Sequence, residues 1–119
     1  MRNIVVQYLL KKQDIDSEEL IRLLEARTSG EVEFLLIDVR EDLEYNEGHI
    51  KGVDMLKPTT AFHEWAQTLL KNAQDKTLIF TCRTGNRSGQ VQNAFINAGH
   101  KSVINHYGGI VTYHGETER

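Results

Sequence analysis

Residues 82–88 read CRTGNRS, one cysteine and two arginines among small or polar residues, directly after the apolar-led run TLIFT. Cys82 is the only cysteine of the chain. A thiol becomes a nucleophile when its thiolate is favoured, and nearby cations, inward-pointing backbone amides and a helix N-terminus all favour it. Each of these is available here: Arg83 and Arg87 supply charge, Gly85 lets the backbone turn freely, and Thr84, Asn86 and Ser88 add amides and small side chains to an anion-binding concavity. A lone cysteine at a strand end is more often a small buried hydrophobe. The flanking residues argue against that reading, because a core position would not sit among arginine, threonine, glycine and asparagine.

The neighbouring segments must place this loop. TLIFT is a short apolar run of the kind found in a strand buried on both faces, and SGQVQNAFINAG reads as a helix closed by Gly99. FLLIDV and KSVINH are two further buried strands, with GVDML a weaker candidate. IDSEELIRLLEA reads as a helix capped by Asp16 or Ser17, with a carboxylate three positions later. TTAFHEWAQTLLKN is another helix, capped by Thr59 or Thr60, whose Phe62, Trp65, Ala66, Leu69 and Leu70 share a face. EDLEY has room for one or two helical turns before glycines 48 and 52. Strands alternating with helices predict an α/β domain with a mainly parallel central sheet and helices on both faces. In such sheets ligands collect beyond the carboxyl ends of the strands, and that is where Cys82 falls.

Asp38 and Arg40 fall at the carboxyl end of another strand, on the same edge, and read first as a structural ion pair. The histidines at 49, 63, 100, 106 and 114 show no metal-ligand spacing, so no metal or cofactor is expected, and His49 reads as part of a Gly-His-Ile turn. Phe62, His63 and Trp65 could line a pocket over the thiol, but aromatics at helical spacing read first as core.

Composition narrows the remaining classes. A chain of 119 residues with 39% hydrophobic and 26% charged residues is expected to be one domain, with residues 1–15 as an extension or first strand. The formal net charge of −3 offers no global basic footprint for nucleic acid. No apolar stretch approaches the roughly 18 residues of a membrane span. A single cysteine suits a reducing compartment, and MRNIVVQYLLKK lacks a cleavage signature, so a cytoplasmic protein is expected.

Two segments resemble those of the rhodanese-like sulfurtransferases. LIDVREDLEYNEGHIKGV, residues 36–53, is similar to that family's Asp-Val-Arg, Glu-Tyr and Gly-His-Ile segment. LIFTCRTGNRSGQVQNAFINAGHKSVINHYGGI, residues 78–110, resembles its active-site strand, loop and helix and its closing Gly-Gly-Ile. The resemblance implies that Cys82 accepts a sulfane sulfur as a persulfide, from thiosulfate, polysulfide or a persulfide donor, and gives it to cyanide, a thiol or a thiol on a partner protein. It also implies that residues 83–88 cradle the persulfide, with Arg83 at the mouth and Arg87 bracing the loop carbonyls, while Asp38, Arg40 and His49 support the site. Where the family commonly carries a tryptophan after Gly-Gly-Ile, this chain has Tyr113, and it stops six residues later, so a terminal helix is expected to be short or absent. The oligomeric state stays open.

Loop length separates two chemistries. Tyrosine phosphatases place their arginine six positions after the cysteine, and the phosphatases of this fold also use a longer loop, whereas Arg87 follows Cys82 by five. The smaller cradle favours a single sulfur over a phosphoryl group. A phosphatase or arsenate reductase, a persulfide carrier and a non-catalytic binding module on the same fold remain as alternatives.

Overall fold

The computed structural model describes residues 4–119, so the first three residues of the expected extension lie outside the described residues. The chain runs α1 (Ile4–Leu9), β1 (Asp14–Ile15), α2 (Ser17–Thr28), β2 (Leu35–Asp38), α3 (Asp42–Glu47), β3 (His49–Ile50), β4 (Met55–Leu56), α4 (Phe62–Asn72), β5 (Leu78–Thr81), α5 (Asn86–Asn97), β6 (Val103–His106) and β7 (Thr117–Glu118). Short 3₁₀ turns at Thr59–Ala61 and Ile110–Thr112 precede α4 and follow β6.

β1, β6, β5, β2 and β4 form, in that order, a five-stranded sheet in which every pairing is parallel. Because side chains alternate along a strand, the sheet divides the core in two. Leu36, Ile79 and Ile104 align in register and pack with Leu20, Leu23 and Ala26 of α2. Ile37 and Phe80 point the other way, with Leu78 and Val103, against Trp65 and Leu69 of α4 and Val91 and Phe95 of α5. Helices therefore cover both faces, as the alternating pattern requires, and Cys82 belongs to the α4/α5 side. None of the described helices is long and apolar enough to cross a membrane.

Local chemistry explains most boundaries. Asp16 caps α2 as expected: its carboxylate accepts from the Glu19 amide at 2.8 Å while Glu19 accepts from the Asp16 amide at 3.0 Å. Gly99, at φ +98°, closes the turn after α5, its amide donating to the Ile96 carbonyl at 2.9 Å.

Three expectations are corrected. Neither Thr59 nor Thr60 caps α4, because both fall in the 3₁₀ turn after Pro58, and the Thr60 hydroxyl donates instead to Glu41 at 2.7 Å. His49 is not in a turn: it starts β3, which pairs antiparallel with β7. The weak strand GVDML shortens to Met55–Leu56, at the edge of the sheet.

Candidate active site

Cys82 lies just past β5, with only 1% of its surface exposed. Its Sγ accepts from the Gly85 amide at 3.1 Å, the Ser88 hydroxyl at 3.3 Å and the Ser88 amide at 3.4 Å. Burial, the largest single influence, pushes the thiol pKa up; the Ser88 hydroxyl and the amides of Ser88, Thr84 and Gly85 oppose it and together bring the pKa below its ordinary 9.0. Ser88 is fully buried in contact with the sulfur, whereas Arg83, Thr84 and Asn86 are exposed. Among the described residues the Arg83 side chain has no hydrogen-bond or ion-pair partner, which leaves a free, exposed cation next to Cys82 in the chain.

The amides can converge on sulfur only because the loop carbonyls point outward and are satisfied elsewhere. The Cys82 carbonyl accepts from the Ile110 amide at 2.9 Å and the Arg83 carbonyl from the Val111 amide at 3.1 Å. The Gly85 carbonyl accepts from Asn105 Nδ2 at 3.2 Å. Gly85 takes φ +94° at the start of α5, where any Cβ would collide with the Tyr107 carbonyl. A Cβ on Gly109, at φ +68°, would likewise collide with the Arg83 carbonyl. The Gly-Gly-Ile turn is thus the wall against which the loop is moulded.

On the opposite side stands α3. Arg87 does not brace the loop carbonyls as expected; its guanidinium makes a two-pronged pair with Glu44, at 2.7 and 2.9 Å. Glu44, with hydrogen bonds from Arg87 as the main cause, is lowered to about 2, and Arg87 is raised by the same contact. Carboxylate and guanidinium match as forks, and this prevails over the single carbonyl contacts a loop can offer. Asp38 and Arg40 form the ion pair read from the sequence, buried and fork-like, with Arg40 Nη2 to Asp38 Oδ2 at 2.8 Å. Arg40 also donates to the carbonyls of Glu44 and Gly48, at 3.3 and 2.8 Å, so it ties the middle of α3 and its closing residue to Asp38.

His49 stacks on Tyr45, with ring centroids 3.8 Å apart, and hydrogen-bonds the Tyr45 carbonyl through Nδ1 at 3.0 Å. Trp65 is core, its Nε1 donating to the Pro58 carbonyl at 2.8 Å; Phe62 is partly buried and His63 faces solvent. Sequence reading missed Glu44, Asn105 and Gly109 as parts of the site. A signal existed for the last two, since Asn105 and the Gly-Gly-Ile turn end a strand on the same sheet edge as Cys82.

A family model described as the rhodanese-like domain matches residues 16–116. The chain is a rhodanese-like domain. Its fold is shared with the solved rhodanese-like domain of the Alr3790 protein from Anabaena, 25% identical, at a TM-score of 0.72 over 90% of this chain and 79% of that one. A rhodanese-related protein from Thermoplasma volcanium superposes with a TM-score of 0.73 at 22% identity, covering 90% of this chain and 98% of that one. Among curated proteins, the probable adenylyltransferase/sulfurtransferase MoeZ of Mycobacterium tuberculosis is 35% identical over 78 residues, 66% of this chain and 19% of that protein. The tRNA uridine(34) hydroxylase of Acinetobacter baumannii is 34% identical over 85 residues, 70% of this chain and 27% of that protein. The chain therefore spans 19% and 27% of the length of these two curated relatives.

Proposed function

We propose that this rhodanese-like domain is a sulfurtransferase that carries a sulfane sulfur on Cys82. The observation that carries the reading is the set of donors converging on a buried Sγ, from Gly85 within the six residues Cys82 to Arg87 and twice from Ser88 just after them. That cradle fits a thiolate, and it fits the terminal sulfur of a persulfide, which is also an anion. Family membership and a relative named as a probable sulfurtransferase support the same chemistry.

The proposed cycle has two displacements. The Cys82 thiolate attacks the outer sulfur of a donor such as thiosulfate; a new S–S bond forms, the bond from that sulfur to the sulfonate sulfur breaks, and sulfite leaves with the electron pair. An acceptor thiolate or cyanide then attacks the outer sulfur of the persulfide, and Cys82 departs as the thiolate it was. Neither step needs a proton at the reacting sulfur of Cys82, which suits a site where the Sγ partners among the described residues are amide and hydroxyl donors. Arg83, unpaired at the mouth, attracts the anionic donor, while Arg87 acts through Glu44 to shape the loop.

Incubating reduced protein with thiosulfate, desalting and weighing the intact chain tests this. A gain of one sulfur, about 32 Da, removed by cyanide or dithiothreitol and absent from Cys82→Ser, is expected. Gain from a polysulfide or persulfide donor but none from thiosulfate would identify a persulfide carrier. No gain from any of the three would refute sulfur transfer and favour a binding module.

A further inference from the structure

The carbonyl side of the Cys82 loop is held by a turn, and that turn is itself tied to the residue preceding Cys82 through a chain of hydrogen-bonded side chains that runs from the core to the surface. Thr112 Oγ1 donates to the Gly109 carbonyl at 2.9 Å. A hydroxyl has one proton, so the 2.8 Å contact between Thr112 Oγ1 and Ser17 Oγ must use the proton of Ser17. Ser17 is then left to accept, and its 2.8 Å partner, Nε2 of His106, must donate. With the proton of a neutral ring on Nε2, Nδ1 accepts from the Thr81 hydroxyl at 2.8 Å. Every link in the sequence Thr81, His106, Ser17, Thr112, Gly109 therefore runs in one direction.

The surroundings require a neutral ring. His106 has no exposed surface, and Tyr113 meets it edge-on with ring centroids 6.1 Å apart and planes at 84°. Burial lowers its pKa to about 4, with Asp16 as the nearby carboxylate opposing that shift. A second proton, on Nδ1, would compete with the Thr81 hydroxyl and break the sense of the chain.

The two ends of the chain meet at the nucleophile. Thr81 is bonded directly to Cys82, and Gly109 opens the turn whose amides at Ile110 and Val111 hold the carbonyls of Cys82 and Arg83. We propose that His106 is a positioning residue for Cys82: its single, Nε2-protonated tautomer locks the Gly-Gly-Ile turn to β5 and thereby keeps the loop amides aimed at Sγ. The inference rests on Cys82 acting as a thiolate, as the sulfur-transfer reading does.

Thr112 is exposed, so its variants perturb the chain without opening the core. Thr112→Val keeps the shape and deletes the hydroxyl, while Thr112→Ser restores it. Iodoacetamide alkylation of Cys82 across a pH series is expected to show, for the valine variant, a midpoint shifted upward and a neutral-pH rate lower by roughly threefold to tenfold. The serine variant is expected within about twofold of the parent, since its thiolate fraction is preserved. Nitrogen-15 NMR of the imidazoles should place the His106 proton on Nε2 alone. A lower melting temperature for Thr112→Val with an unchanged alkylation profile would reduce the chain to a structural role and overturn the proposal. A proton on Nδ1 of His106 at neutral pH would overturn it too. Alkylation needs no sulfur donor, so this test succeeds or fails independently of sulfur loading.

Discussion

The Cys82 loop is gripped from two sides by different chemistry. On the α3 side the grip is ionic, with Glu44 on Arg87 and Asp38 on Arg40. On the β6 side it is neutral, made of backbone amides, Asn105, His106 and hydroxyl groups, with glycines where the chains nearly touch. The ionic grip reaches the loop through the Arg87 side chain, the neutral one through the carbonyls that decide where the amides point. The neutral side should therefore control the chemistry of Cys82, and the ionic side chiefly the stability and docking of α3.

The largest effect expected is at the buried ion pair. Asp38→Asn leaves the Arg40 guanidinium buried with its charge uncompensated, and denaturant unfolding should show a loss of about 3–5 kcal/mol. Such a loss with little change in the alkylation rate of the folded protein would sharpen the division between the two sides; a matching collapse of that rate would break it. Gly109→Ala attacks the neutral side. Its Cβ would overlap the Arg83 carbonyl, and the left-handed backbone adds strain, so about 2–4 kcal/mol and most of the Cys82 reactivity should be lost together.

A pH titration separates the two sides by their ranges. The folded pKa of His106 is depressed to about 4 from an ordinary 6.5, so the unfolded chain binds the extra proton first. Its contribution is present above 6.5 and is lost as pH falls toward 4, by about 2–3 kcal/mol. His106→Gln should flatten that segment of a pH–stability curve. Glu44, lowered to about 2 from 4.5, contributes above 4.5 and loses its contribution as pH falls toward 2. The smallest effect is expected from Glu44→Gln at neutral pH. The pair is about a third exposed, at 32% for Arg87 and 30% for Glu44, so about 1 kcal/mol should be lost in low salt and less in high salt. A salt-independent loss of several kcal/mol would contradict the surface character assigned to this pair.

Much of this arrangement was legible in the sequence, and what was not has a common physical cause. Leu35–Asp38, Leu78–Thr81 and Val103–His106 announce themselves as apolar runs because both faces of the sheet are covered, and Asp16 with Glu19 announces the start of α2. The two-residue strands β1, β3 and β7 are too short to carry a pattern and exist through their partners, and β4 showed only as a weak apolar run. The Cys82 loop was legible because the glycine, the arginines and the small residues are contiguous. Its supports were not: Glu44 lies 43 residues before Arg87, and Ser17 lies 89 before His106. A histidine in VINH reads as a polar interruption of a strand, and only the position of that strand's end beside Cys82 shows its use.

At Cys82 the decisive balance is between converging donors and burial. The ultraviolet absorbance of the thiolate, followed as pH rises and compared with Cys82→Ser, measures this directly. A midpoint below the ordinary 9.0, moved upward in Ser88→Ala by loss of a hydroxyl 3.3 Å from Sγ, is the predicted result. A midpoint at or above 9.0, indifferent to Ser88, would mean that burial prevails and that the loop is no thiolate cradle.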